Sequence, residues 1–237
     1  MLGKERLDGL TFLDVGCGSG LSSLAARRLG CNVLSFDFDL DSVACAEELK
    51  RRFAPDDPLW SIERGSALDE EYLRRLGTFD IVYSWGVLHH TGDMHRAIAM
   101  VSKQVASGGA LFLAIYHDQG SASRRWSLIK RVYHRLPSGL RNLWVAMIAG
   151  CYEFRFALSR LMRGKNPLPF EDWRKKADDR GMSAWYDWVD WVGGWPFEVA
   201  SPDQIINPLC RSGFSLTQIK TVGNGWGCNE YVFRKQP

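Results

Sequence analysis

Between Thr11 and Tyr116, short apolar runs alternate repeatedly with segments of helical period, and that alternation leaves few folds open. Strands covered by helices on both faces read as unbroken apolar stretches, and the crossover helix between each pair makes them parallel. "TFLDV" predicts the first strand and "NVLSF" the second; "SIERG", "FDIVYSW" and "ALFLAIY" predict the next three. A helix is expected from about Ser19, with Arg27 and Arg28 in its last turn and Gly30 as its stop. Cations suit a helix C-terminus, and glycine suits the residue beyond it. Asp39 is expected to cap the helix "DSVACAEELKRRF". A further helix is expected from about Asp93 to the Gly108–Gly109 pair.

The same grammar resumes near the end of the chain. In "SPDQIINPLCRSGF", Ser201 reads as an N-cap, Pro202 as the first helical residue, Gln204 as the capping-box partner and Gly213 as the stop. "SLTQIKTV" and "NEYVFRK", joined by "GNGWGC", predict a closing hairpin. The expected fold class is α/β: a Rossmann-like seven-stranded sheet, mostly parallel with an antiparallel last strand, and a helical, Trp-rich insertion after the fifth strand. The expected organisation is a single domain, 1–237, with a helical lid or insertion at 117–200 that holds seven of the ten tryptophans. With 46% apolar and 24% charged residues and no repeat period, disordered and solenoid readings are excluded. The six cysteines form no CxxC pair and no cluster at metal-ligand spacing, so they read as free thiols of a reducing compartment. The start of the sequence has no signal-peptide pattern, and no apolar run approaches a membrane span, so a cytoplasmic protein is expected, with peripheral membrane contact left open.

"LDVGCGSGLSS" places Gly16, Gly18 and Gly20 directly after the first strand. A glycine-rich strand-to-helix turn lets the backbone approach a ligand and aims N–H groups at it. A dinucleotide fingerprint needs a third glycine where this chain has Leu21. Asp14, two residues before Gly16, would also repel a pyrophosphate; a cationic ligand suits it better.

These residues resemble the first motif of the class I S-adenosylmethionine-dependent methyltransferases, nearest to the ubiquinone-biosynthesis O-methyltransferase-like group. The resemblance implies S-adenosylmethionine as cofactor, with its methionine moiety wrapped by Asp14, Gly16, Cys17 and Gly18. It further implies that Asp37, in "LSFDFD", accepts from both ribose hydroxyls and that Phe38 lies beside the adenine. Ser66 and Ala67, in "RGSAL", stand where that family carries an acid for the adenine amino group, with Asp69 as a substitute. Trp85 and Tyr116 are expected beside the sulfonium, which an aromatic face stabilises.

The run "SWGVLHHTGDM" resembles the "SEVLEH" run of the quinone-biosynthesis enzymes, but Gly86 and His89 stand where they carry metal-associated carboxylates, so no metal is expected. Methyl transfer needs an aligned nucleophile at ~3–3.5 Å and, for an alcohol or amine, a base. His90, His89 and His117 are the candidate catalytic residues, with Asp118 orienting one of them.

From Ser121 to Lys165 there are ten Lys and Arg residues and one acid, Glu153, which makes this segment +9 and the remainder −6. Trp126, Ile129, Val132 and Leu136 recur at helical spacing, "PSG" breaks the chain, and "LRNLWVAMIAGCYEFRFALSRLMRG" follows: a basic amphipathic helical hairpin. Three uses stay open: a membrane-surface contact through 121–165, a nucleic-acid patch, which is disfavoured, and a lid or homodimer interface. The segment "GMSAWYDWVDWVGGWPFEVA" is expected to roof the crevice, so Tyr116, Asp118, Trp188, Trp191 and Trp195 are candidate substrate-binding residues, with Asp187 and Asp190 as carboxylates. The expected function is methyl transfer to a small or lipid-linked, aromatic or apolar acceptor, at oxygen first and nitrogen next. The rivals are an RNA methyltransferase that uses the basic insertion and a non-catalytic module that binds the cofactor.

Overall fold

Each apolar run becomes a strand in the computed structural model, which describes residues 6–174, 183–223 and 225–237. The strands are β1 (Thr11–Val15), β2 (Asn32–Asp37), β3 (Trp60–Arg64), β4 (Phe79–Trp85), β5 (Val105–Tyr116), β6 (Phe214–Lys220) and β7 (Cys228–Lys235). They form one sheet in the order β3-β2-β1-β4-β5-β7-β6. The first five strands pair in parallel, and β7 runs antiparallel to both β5 and β6. The expected sheet and hairpin are therefore present.

Both faces of the central strands are buried, which is why β1, β4 and β5 carry near-continuous apolar runs, whereas the edge strands β3 and β6 are partly exposed. Leu13, Val82, Leu111, Leu113 and Phe233 point into one core cluster, and their neighbours Phe12, Ile81, Ala110, Phe112 and Val232 into the other. The helices of this unit are α1 (Leu21–Arg28), α2 (Leu40–Phe53), α3 (Glu70–Leu76) and α4 (Met94–Ser102). Asp39 caps α2 by accepting the Ser42 N–H at 3.0 Å. The last helix of this unit, Pro202–Arg211, carries the expected capping box of Ser201 and Gln204.

Two boundaries differ from expectation. The helix after Asp93 stops at Ser102, and β5 already begins at Val105, so the Gly108–Gly109 pair lies inside the strand. The pairing jumps from Phe79↔Val105 to Ile81↔Ala110, and the intervening residues bulge out. Gly108 takes φ +70°, and a Cβ on Gly109 would stand 2.9 Å from the Ala106 carbonyl oxygen, so these glycines serve a bulge rather than a helix stop. Likewise α1 starts at Leu21, because Gly20 sits at φ +81° and keeps the preceding turn out of the helix.

The chain divides into two compact units, one holding the residues up to Asp118 and from Glu198 onward, the other Gln119–Phe197. The second unit is helical: α5 (Ser121–Arg135), α6 (Ser138–Met162) and α7 (Ala184–Gly193), with the last helix of the chain, Pro202–Arg211, being α8. Trp126, Val145, Ile148, Ala149, Trp188 and Val192 form its core. Trp126 stacks on Tyr152 with ring centroids 5.2 Å apart. The Glu153 carboxylate accepts the indole N–H groups of Trp173 and Trp188 at 3.1 and 3.3 Å. Lys130 is buried; its ammonium donates to the Trp191 carbonyl and lies 5.0 Å from the Phe197 ring centre, and burial pushes its pKa down to about 8. The beginning of the "GMSAW" segment and Asn224 in the closing hairpin loop lie outside the described residues.

Phe233 is fully buried in the core beneath the antiparallel end of the sheet. Phe233→Ala should lower stability by about 3–5 kcal/mol in urea unfolding. A loss below about 1 kcal/mol would contradict the placement of the closing hairpin in the core.

Candidate functional site

The strand order reverses between β1 and β4, since the chain runs β1 to β2 to β3 on one side and β4 to β5 on the other. In an open α/β sheet the ligand crevice lies at that reversal, outside the carboxyl ends of the strands. Register places the loop residues there together: Val15 pairs with Phe36, Asp37 with Arg64, and Trp85 with Ala114. Gly16 and Cys17 continue the ladder, both donating N–H groups to the Phe36 carbonyl at 2.9 and 3.1 Å.

The three loop glycines have separate tasks, and all three have positive φ. A Cβ on Gly16 would collide with the Val87 side chain at 2.3 Å, and one on Gly20 would press on Ala46 at 3.0 Å; both are closed by packing. Gly18, at φ +52°, has nothing within 4 Å of a Cβ position, so the loop opens there. Its N–H donates to Asp37 Oδ2 at 2.9 Å, and the Asp39 N–H donates to Oδ1 at 3.0 Å. A carboxylate oxygen can accept two hydrogen bonds and each here accepts one from the backbone, so Asp37 keeps acceptor capacity while its orientation is fixed. The first turn of α1 adds backbone N–H groups with no side-chain cap at Gly20.

Asp14, expected to wrap the methionine moiety, lies beneath the loop and is 2% exposed. A buried chain of hydroxyls holds it: Trp60 Nε1–H donates to Ser35 Oγ (2.9 Å), Ser35 to Ser23 Oγ (2.7 Å), and Ser23 to Asp14 Oδ2 (2.5 Å). Burial pushes the Asp14 pKa up to about 6, with the Ser23 hydrogen bond opposing and the Asp37 charge adding to the rise. Cys17 is buried beside it, and burial pushes its thiol up to about 12.

The flank toward β3 is more open. Phe38 is 70% exposed, with the Arg64 guanidinium 5.7 Å from its ring centre. Ser66 Oγ accepts the Leu68 N–H at 3.2 Å, and Ala67 is buried. Asp69 caps α3, accepting the Tyr72 N–H at 3.0 Å, which is a structural occupation for the carboxylate considered as a substitute.

At the carboxyl ends of β4 and β5, Trp85 is exposed, and a short turn, Leu88–His90, follows it. His89 has no exposed surface; its Nδ1 accepts the Tyr116 N–H at 3.4 Å, and its ring lies 4.0 Å from that of Tyr116 and 4.4 Å from that of His90. It is placed to hold its neighbours and has no face to offer a substrate. His90 is half-buried and meets Tyr116 edge-on at 5.5 Å. His117 Nδ1 lies 3.1 Å from the side-chain amide nitrogen of buried Asn229, whose Oδ1 accepts the Val222 N–H at 3.0 Å. Because that amide oxygen is committed to Val222, the amide donates to Nδ1, and neutral His117 carries its proton on Nε2. It therefore presents a donor, not a basic lone pair. Asp118 is exposed, and its N–H donates to the Ala200 carbonyl at 3.1 Å.

Two positioning residues escaped the sequence reading. Glu198 accepts the Met94 N–H at the start of α4 at 3.1 Å and donates its own N–H to the His89 carbonyl at 3.0 Å. Nothing local to its sequence signals this. Asn229 had a weak signal, a polar residue just ahead of the apolar run "YVF" in the last strand. In the helical unit, Trp188 belongs to the core, Trp191 is partly buried over Lys130, and Trp195 is exposed with the Arg131 guanidinium 5.8 Å from its ring centre. Asp187 is buried and Asp190 exposed. Among the described residues, no three His, Cys, Asp or Glu side chains gather as a metal site.

A family model described as a methyltransferase domain matches residues 1–164. The ubiquinone biosynthesis O-methyltransferase of Rhizobium etli is 31% identical over 134 residues, which is 56% of this chain and 52% of that protein. A tRNA U34 carboxymethyltransferase of Pseudoalteromonas translucida is 27% identical over 150 residues, 61% of this chain and 45% of that protein. The chain spans about half the length of such curated relatives. Among solved structures, magnesium protoporphyrin IX methyltransferase from Synechocystis PCC 6803 with bound SAH has a TM-score of 0.56 and 13% identity, covering 97% of this chain and 75% of that one, a likeness of fold.

A carboxyl group whose folded pKa is raised contributes full stability below its unfolded value, near 3.9, and loses it as pH rises through the folded value, here about 6. Asp14→Asn keeps an acceptor for Ser23 and removes the ionisation. The cofactor-free variant should therefore be more stable than the native chain by roughly 1–3 kcal/mol near pH 8, with the gap closing toward about pH 4. Thermal melts across that range check it, and a gap that does not change with pH would contradict the burial argument.

Proposed function

The chain belongs to the methyltransferase-domain family, as a class I S-adenosylmethionine-dependent member, and on that premise we propose that it methylates a small or lipid-linked acceptor of aromatic or otherwise apolar character. Oxygen is the favoured acceptor atom and nitrogen the next. The observation that carries the cofactor reading is the Gly18–Asp37 hydrogen bond beside an open space. The stretch Leu13–Ser23 has no Lys or Arg to neutralise a pyrophosphate, and its own carboxyl group, Asp14, lies near that of Asp37. A cationic nucleoside with one carboxylate fits that donor set: the carboxyl groups favour its positive charge, and the first turn of α1 favours its carboxylate.

S-adenosylmethionine supplies, when bound, a methyl carbon made electrophilic by its sulfonium. Gly16, Cys17 and Gly18 would hold its methionine moiety, with Asp14 acting through the loop from below. Asp37 would accept from the ribose hydroxyls with the capacity left after Gly18 and Asp39. Phe38, Ser66 and Ala67 would line the adenine end, and Trp85 the sulfonium. At the reacting end, His90 and His117 are both half-buried; because His117 presents a donor, His90 is assigned the proton from an acceptor hydroxyl or amine. His117, with its proton on Nε2, is assigned to orient the acceptor by donating a hydrogen bond. Tyr116 and Asp118 would complete that wall, and His89 positions Tyr116. Resemblance to the ubiquinone-biosynthesis O-methyltransferase supports the oxygen preference and a ring or apolar acceptor.

Two variants separate binding from folding. Gly18→Ala meets open space, so it should cost about 1 kcal/mol of stability from its positive φ yet weaken S-adenosylmethionine binding at least tenfold by calorimetry. Asp37→Ala should abolish saturable binding, and equal binding by that variant would overturn the cofactor assignment. Incubation with methyl-labelled cofactor and host extract should place label in the small-molecule or lipid fraction. With the acceptor in hand, His90→Ala should lower kcat by about 10²–10⁴-fold with cofactor affinity unchanged. Label recovered in RNA would favour the rival reading, and no label in any fraction the non-catalytic one.

A further inference from the structure

Helix α6, Ser138–Met162, is apolar on two opposite faces. One face, with Val145, Ile148 and Ala149, packs into the core of the helical unit. The other presents Leu140, Leu143, Met147, Phe154, Leu158 and Leu161, all exposed, with Leu143 at 67% and Phe154 at 71%. At 100° per residue these six fall within a band about 60° wide, one continuous stripe, and at 1.5 Å per residue it runs for about 30 Å. A surface helix of a soluble protein carries polar residues on that face. Contiguous exposed apolar area of this kind marks an interaction surface.

Charge decides the occupant. Arg155 borders the stripe, and Arg163 and Lys165 follow its end, all exposed. The outer face of α5 sets Leu128 among Arg124, Arg131 and Arg135, also exposed. Ser121–Lys165 carries +9 with Glu153 as its one acid, and Glu153 is turned inward to Trp173, Trp188 and Arg160. A second copy would bring like charges together, whereas an anionic surface answers both the apolar stripe and the cations. Among the described residues no helix is long and apolar enough to cross a membrane, and Arg141, Glu153, Arg155 and Arg160 interrupt α6. Such a helix lies in the interface plane, with apolar side chains among the acyl chains and arginines at the headgroup phosphates.

We propose that the exposed apolar stripe of α6, with its flanking arginines and lysine, docks this protein on an anionic lipid surface. The docking needs neither cofactor nor turnover, so it stands or falls separately from the methyl-transfer reading. It would bring the chain to acceptors that reside in the bilayer.

Sedimentation of the full chain with phosphatidylglycerol–phosphatidylcholine vesicles tests it, with pure phosphatidylcholine as control. The native protein should bind the anionic vesicles at least tenfold more tightly than the neutral ones and release with added salt. Phe154→Asp with Leu158→Asp, both at exposed positions, should lower that binding at least tenfold while leaving S-adenosylmethionine affinity unchanged. Arg155→Glu with Arg163→Glu should remove the preference for the anionic lipid. Absence of sedimentation, or sedimentation indifferent to these variants, would overturn the proposal. So would a native dimer that Phe154→Asp converts to monomer, which assigns the stripe to a second copy. RNA retention that the arginine variants abolish, with no vesicle binding, would assign the charge to nucleic acid and overturn it as well.

Discussion

The candidate site depends on the register of β1 against β2. Because Val15 stands opposite Phe36, the residues just past each strand end face each other, and the Gly18 N–H meets the Asp37 carboxylate at 2.9 Å. A slip of one residue would turn every side chain of β1 to the other face of the sheet and remove that meeting. Two buried sets of side chains resist the slip, Leu13 with Val15 on one face and Phe12 on the other. The core thus fixes the loop, and the loop fixes the carboxylate. Gly16 and Gly20 add to this by fitting against Val87 and Ala46, which leaves Gly18 as the position where the turn is open.

The same region shows that a buried hydrogen-bonded chain and a strained charge can coexist. Trp60, Ser35 and Ser23 hand hydrogen bonds one to the next and end on Asp14, whose ionisation burial opposes. A cation above the loop would favour the ionised carboxyl, so ligand binding and Asp14 ionisation are linked. The geometry therefore couples what the loop holds to the protonation of a group that the ligand need not touch.

The strands were legible because helices on both faces demand continuous apolar runs, and the caps at Asp39 and Ser201 were legible because their partners lie within one turn. The Gly108–Gly109 pair was not: a glycine pair serves a helix stop or a β-bulge equally well, and the pairing of β4 with β5, distant in sequence, decides. The burial of His89 was hidden for the same reason, since its side depends on Tyr116 and Glu198 rather than on its neighbours. Asp14 left a usable sign, the small polar residue Ser35 inside the apolar run "NVLSF", which with Ser23 is fully buried. Trp188 did too, because it and Val192 are four residues apart on one helix and form a core pair, whereas Trp195 lies past the helix end and is exposed. The second apolar face of α6 was visible only as an excess of hydrophobicity; which half faces water emerges from the packing of Trp126 and Trp188 against the other half.

The central claim is that the turn after β1 and the carboxylate ending β2 form one receptor for a cationic sulfur nucleoside. A crystal structure of the chain grown with S-adenosylhomocysteine addresses it most directly. The account predicts the amino-acid moiety over Gly16–Gly18 and the ribose hydroxyls within hydrogen-bond distance of Asp37. A nucleoside bound elsewhere, with Asp37 turned to solvent, would contradict it.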